Sequence, residues 1–320
     1  MYLNLEANMT TSITILSVFL LSICGTCPAP SQQQARSRPA SQNPSPMVEH
    51  TRKHERIPEG SSKGVTFEIS GLFSRPVQIF IPAKHERARS FDLLIHFHGA
   101  GYVVQHAASK YRGPIIAATV NLGSGSKVYS DGFEDTTKFV RLIDSILDSS
   151  ERRLRHAISL RRIILSGFSA GYGAIRRIIG TETNYARIDA VLLLDGLHAG
   201  YIPEQTVVHE GGVIDSTDLL PFLKLACDAS GERSKKRFLI THSEIFPGTF
   251  VSTTEATDYL LRSLQLRREP LLKWGPLGMQ QLSQAKRNNF AVRGYAGNTA
   301  PDHIDHFHGL FRFLNDLLTF

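Results

Sequence analysis

The stretch that most restricts what this chain can fold into is RRIILSGFSAGYGAIRRII, Arg161–Ile179. Ile163, Ile164 and Leu165 form a short continuous apolar run, which suits a strand buried on both faces. A Gly-x-Ser-x-Gly follows at once, and AGYGAIRRII then takes up helical spacing. A serine between a buried strand and a helix sits on a sharp turn. Side chains at Gly167 and Gly171 would clash there, and the helix N-terminus offers N–H groups and a positive dipole end. The competing reading is a structural glycine turn that happens to carry a serine. The strand–turn–helix context favours Ser169 as a nucleophile, with the N–H of Ala170 as one donor to an oxyanion.

The rest of the chain is compatible with that turn. VTFEIS and VQIFIP read as a hairpin-like pair of strands, and DLLIHFHGAG, IIAATVNL, DAVLLLDGLH, KRFLITHSE and NNFAVRGYAG as further strands. Between them, FEDTTKFVRLIDSILDSSERRL, TTEATDYLLRSLQL and the final LFRFLNDLL carry apolar residues at helical spacing. Strands alternating with helices predict an α/β fold with a mostly parallel sheet covered on both faces. In such sheets ligands gather at the carboxyl ends of the strands, where the unusual residues of this sequence also fall.

Three further groups complete the candidate chemistry. HFHGAGY, His96–Tyr102, ends a strand in glycines, so Ala100 or Gly101 is placed to give a second oxyanion donor. His96 and His98 are not read as metal ligands. A general base is expected after the last strand, where GYAGNTAPDHIDHFHGL reads as a loop carrying His303, His306 and His308. A zinc site there would lack a defined fourth ligand and an HExxH-like helix. His303 or His306 is the base, with loop freedom favouring His303. The acid that orients it is Asp195, closing AVLLLDG, or alternatively Glu244, closing RFLITHSE. Asp302 and Asp305 are too close in sequence to the histidines. Tyr102, Tyr172, His198, Tyr201 and Phe246 are expected to line the pocket.

With HFHGAGY, GFSAG, LLLDG and PDHIDHFHG in this order, the chain resembles the α/β-hydrolase superfamily, over about Val65 to Phe320. It looks most like secreted bacterial esterase- and lipase-type members. The resemblance implies an α/β-hydrolase fold with an eight-stranded, mostly parallel sheet and hydrolysis of a carboxylic ester or related acyl bond through a Ser-His-Asp triad, with no cofactor and no metal. The substrate would be a small-molecule or polymer-derived acyl compound. A peptidase or acyltransferase on the same triad, or an inactive hydrolase-fold binding protein, is the alternative. The sequence departs from the family in having His-Gly-Ala-Gly at the oxyanion segment and, with Asp195 as the acid, in placing it one strand early.

The N-terminus has a different character. Thr14–Ile23 is nearly all apolar, too short to span a bilayer comfortably, and small residues follow, so residues 1–27 read as a secretory signal peptide. No Lys or Arg precedes the run, and Glu6 does. The expected location is secreted or periplasmic, with a membrane tether through a lipidated Cys24 or Cys27 left open. Residues 28–62, rich in Pro, Ser and Gln, read as a disordered tether ahead of a catalytic domain at 63–320. Only Cys227 falls in that domain, so no internal disulfide is expected. Of the 320 residues 42% are hydrophobic, enough for one large α/β domain. The net charge of +7 is spread over scattered arginines with no aromatic interleaving, so nucleic acid is not an expected partner.

Overall fold

The apolar runs become the middle of a ten-stranded sheet in the computed structural model, which describes residues 53–60 and 62–319. The strands are β1 (Gly64–Ile69), β2 (Val77–Pro82), β3 (Ser90–Phe97), β4 (Ile115–Val120), β5 (Ser159–Phe168) and β6 (Ala190–Leu194), with β9 (Arg237–His242), β10 (Glu269–Trp274), β11 (Gln280–Arg287) and β12 (Phe290–Tyr295). A separate small hairpin pairs β7 (Tyr201–Ile202) with β8 (Val213–Ile214). The sheet order is β1-β2-β4-β3-β5-β6-β9-β12-β11-β10. From β4 to β12 every neighbouring pair is parallel. β1 and β2 are antiparallel at one edge, β11 and β10 at the other.

Eight of these strands match the expected sheet, and β10–β11 extend it. That hairpin precedes β12 and forms the sheet edge, so most of β10 is exposed. It carries no continuous apolar run, which is the signal that marks the central strands.

Helices cover both faces, as side-chain alternation along the strands requires. On one face Leu93, Ile95 and Phe97 of β3 meet α3 (Lys138–Leu154) and α4 (Tyr172–Ile179), with α6 (Leu220–Ala229) and α7 (Thr253–Ser263) further along. On the other face Leu94, Ile164 and Leu192 meet α1 (Gly101–Lys110), α8 (Ala300–His308) and α9 (Leu310–Leu317). The short α2 (Ser126–Gly132) and α5 (Glu182–Arg187) complete the set. Each fully buried aliphatic side chain contributes about 1.5–3 kcal/mol by leaving water, which fixes strand register against a one-residue slip.

α8 corrects one expectation. The segment read as a histidine-bearing loop is helical over Ala300–His308, begun by a capping box of Thr299 with Asp302 and by Pro301 in its first turn. The chain ahead of β1 corrects another. Within the stretch read as tether, the Ile57 N–H donates to His308 Nδ1 at 3.0 Å, Arg56 donates to the Pro301 carbonyl at 3.0 Å, and His54 Nδ1 lies 2.8 Å from Asp305 Oδ2. Ile57 is buried, so the packed region starts before residue 63. The segment read as a signal peptide, Cys24, Cys27 and most of the tether lie outside the described residues.

Candidate active site

Ser169 follows β5 directly and has φ +47°, a left-handed backbone that costs a non-glycine residue about 1–2 kcal/mol. Close packing holds it there. A Cβ on Gly171 would lie 2.2 Å from the Phe97 carbonyl oxygen, and one on Gly167 would lie 3.0 Å from the Gly171 carbonyl carbon. On the other side a Cβ on Gly196 would lie 2.3 Å from the Ser169 carbonyl oxygen. The ends of β3, β5 and β6 therefore converge on the serine at backbone distance.

Asp195 ends β6, also with a left-handed backbone at φ +45°. Its side chain is buried. Oδ1 accepts the Ser243 N–H at 2.9 Å, while Oδ2 accepts the Ser243 hydroxyl at 2.7 Å and lies 2.7 Å from His303 Nδ1. Burial alone would raise its pKa. The nearby charges of His306 and His303, with the hydrogen bonds from His303 and Ser243, outweigh burial and hold the carboxyl well below the usual range. The geometry thus gives an ionised acid bound to His303. With Nδ1–H donating to Asp195, Nε2 is the basic nitrogen of His303. The His303 ring packs on Phe168, the residue before Ser169, with 4.6 Å between centroids.

His306 and Glu244 are placed elsewhere. His306 is buried one helical turn beyond His303, its Nδ1 2.9 Å from Thr241 Oγ1 and its ring edge-on to Tyr295. The direct bond to Asp195 belongs to His303. Glu244 lies just past the end of β9 and holds the turn ahead of α8: its Oε2 accepts the Gly297 N–H at 2.8 Å, and its own N–H donates to the Gly297 carbonyl at 2.8 Å.

The strand-end loop after β3 carries Ala100 and Gly101. His98 (φ +70°) and Gly99 (φ +126°) reverse the chain so that α1 starts at Gly101, with no side chain capping its N-terminus. The His98 N–H donates to the Val120 carbonyl at 3.1 Å, its Nδ1 lies 2.9 Å from the Tyr129 hydroxyl, and its carbonyl is 2.9 Å from His96 Nε2. Burial lowers the pKa of both histidines, His96 to about 3. Ala170 occupies the turn immediately after Ser169.

Among the residues expected to line a pocket, Tyr172 and His198 come together, their rings 5.4 Å apart, and Phe250 closes on His198 at 4.9 Å. His198 Nδ1 lies 3.0 Å from the Val251 carbonyl, and burial lowers its pKa. The other three lie apart: Tyr102 packs edge-on to His308, the Tyr201 hydroxyl is bound to Glu255, and Phe246 lines a separate cleft beside His242 and Arg268. Sequence reasoning passed over Phe168, Ser243, Tyr129 and Phe250. Ser243 alone carried a signal, being a hydroxyl at the end of a buried strand.

Other polar clusters have structural duties. Asp92, fully buried near the amino end of β3, is bound by Arg161, Arg162 and Tyr111, at the opposite end of the strands from Ser169. His54, Asp302 and Asp305 place ligand atoms within 4.8 Å of one another. Arg56 pairs with Asp305, and Asp302 caps α8, so protein groups already balance that charge. A cleft of about 610 Å³ over β10–β12 and α9 includes none of the candidate catalytic residues.

The strand order, the turn at Ser169 and the sequence order Ser, Asp, His are those of the α/β-hydrolase fold. No family model matches the chain, and no curated protein does. Among solved structures it is similar to the acylaminoacyl peptidase of Pyrococcus horikoshii, at 13% identity and a TM-score of 0.42. The match covers 81% of this chain and 41% of that one, so the chain spans about two fifths of that protein's length.

Proposed function

We propose that the protein is a serine hydrolase that cleaves a carboxylic ester or related acyl bond. The observation that carries this is the 2.7 Å contact from Asp195 Oδ2 to His303 Nδ1, with the His303 ring packed on the residue that leads into the strained Ser169. His303 Nε2 takes the Ser169 proton as Oγ attacks the acyl carbon. The N–H groups of Ala170 and of Ala100 or Gly101 hold the oxyanion. Collapse expels the alcohol, which receives the proton from His303, and leaves an acyl-enzyme. Water, deprotonated by His303, then releases the acid. Asp195 keeps the proton of the resting imidazole on Nδ1 and stabilises the imidazolium.

The test is Ser169→Ala assayed on short-chain p-nitrophenyl esters, together with labelling by a fluorophosphonate. We expect turnover to fall by at least about 10³-fold, and labelling to disappear. Unchanged turnover in Ser169→Ala refutes the reading.

A further inference from the structure

A cleft of about 320 Å³ opens beside the loop that carries Ala100 and Gly101. It lies over the carboxyl ends of β4 and β3 and over the facing ends of β1 and β2, where Gln78 pairs with Thr119 and with Glu68. Strands are about 4.8 Å apart, so the end of β4 stands about 10 Å from that of β5 and Ser169. The direction from Ser169 matters. His303 must protonate the leaving group, so the alcohol lies toward α8 and the acyl arm runs the other way, toward β3 and β4.

The lining is rich in hydrogen-bond donors. Thr119 is 5% exposed, lines the cleft, and its hydroxyl has no hydrogen-bond partner among the described residues. Asn121 uses its carboxamide oxygen to accept from Tyr129 at 3.2 Å, which leaves its NH₂ to donate. Arg75 pairs with no carboxylate among the described residues. The start of α1 adds the positive end of a helix with no acidic residue in its first turn. Glu68 is the one acid on the rim and is exposed. Burial pushes the Tyr129 hydroxyl pKa up, its hydrogen bonds with the Leu122 and Gly123 backbone pull it back most, and the charge of Arg75 adds to that pull.

We infer that this cleft is the acyl subsite and that it takes an acyl arm ending in a carboxylate in preference to an alkyl chain. The inference rests on the hydrolase reading above. An alkyl chain would strand the Thr119 hydroxyl and the Asn121 amide without partners, whereas a carboxylate satisfies both and meets Arg75.

The experiment compares monomethyl suberate with methyl octanoate, and monomethyl glutarate with methyl valerate, followed by acid release in a pH-stat. The wild type is expected to favour the charged member of at least one pair in kcat/KM by about tenfold, and high salt is expected to reduce that preference. Arg75→Gln and Thr119→Val are each expected to lower the charged-to-neutral ratio, Arg75→Gln by about tenfold, and Glu68→Gln to raise it. Exposed Arg141→Gln, on α3, is the control and leaves the ratio as it is. Protection of Ser169 from fluorophosphonate labelling by the same four esters gives a second readout that does not need fast turnover. Equal or better use of both neutral esters, or ratios that do not respond to Arg75 and Thr119, overturns the subsite while labelling of Ser169 still upholds the hydrolase. Loss of both turnover and labelling in the wild type overturns both.

Discussion

Asp195→Asn separates the two candidate acids, and the structure sets its size. The substitution keeps shape and volume, so the buried side chain stays in place. Oδ1 must go on accepting the Ser243 N–H at 2.9 Å, which forces the new NH₂ into the position of Oδ2. There the Ser243 hydroxyl can rotate to accept, but His303 Nδ1, 2.7 Å away, then faces a donor. His303 must accept at Nδ1 and carry its proton on Nε2, the nitrogen that should take the proton of Ser169. The wrong tautomer and the lost imidazolium partner together raise the barrier by about 5.5 kcal/mol, about 10⁴ in kcat. Steady-state hydrolysis of a p-nitrophenyl ester by Asp195→Asn and by Glu244→Gln is the assay. Glu244→Gln keeps an acceptor for the Gly297 N–H and is expected to stay within about threefold of wild type. An Asp195→Asn enzyme that retains more than about a tenth of wild-type kcat, or one that outperforms Glu244→Gln, refutes the assignment.

His303→Ala is expected to cost at least about 10³ in kcat. His306→Ala is expected to stay within about tenfold in kcat while lowering the melting temperature, because it empties a buried contact with Thr241 and Tyr295; equal kcat losses would contradict the placement. In Gly171→Ala the new methyl meets the Phe97 carbonyl at 2.2 Å, an overpacking of about 1–3 kcal/mol that calorimetry should read as a drop of about 2–10 °C. Acid stability follows from His96, held down to about 3 by burial, and His242, held down to about 4 by burial and by Arg268. Both folded values lie below the ordinary 6.5, so the unfolded chain takes up protons first. Stability is therefore full above that value and falls as pH drops toward 4, by about 2–3 kcal/mol per pH unit for the pair. Melting curves at pH 7, 6, 5 and 4 check this, and a flat melting temperature from pH 7 to 5 would contradict it.

The legible parts of this molecule are those whose causes are local. β5 declares itself because a strand buried on both faces must be apolar throughout, and Gly171 because backbone packs on backbone there. Asp195 stands out as a carboxylate at the end of such a strand. β10 and β11 were illegible because an exposed edge hairpin needs no apolar run. α8 was hidden for a different reason: three histidines and a proline mask its apolar side, although Thr299, Pro301 and Asp302 spell an N-terminal capping pattern. His303 and His306 are three residues apart on one helix, so no local rule separates them. Only the tertiary placement of Thr241 and Asp195, supplied by different strands, does so.

Glu244 shows how a residue can lose one role and keep another. Its carboxylate holds the Gly297 N–H, and its own N–H holds the Gly297 carbonyl, so the turn after β12 is pinned to the end of β9. Two residues on, Thr299 opens α8, and the Thr299 carbonyl accepts the N–H of His303 at 3.1 Å. A continuous set of bonds therefore runs from Glu244 through Gly297 and Thr299 to the backbone of the candidate base. Glu244→Ala leaves the Gly297 N–H without its acceptor, at a cost of about 1–3 kcal/mol, and that cost falls on the turn that aims His303. A misaimed base slows proton transfer without weakening substrate binding. We expect Glu244→Ala to lower kcat by about three- to thirtyfold with KM and the shape of the pH profile unchanged. Glu244→Gln, which still accepts, should restore most of the rate. If Gln and Ala are equally impaired, the carboxylate charge matters and Glu244 takes part in the chemistry. If neither is impaired, the turn does not position the base.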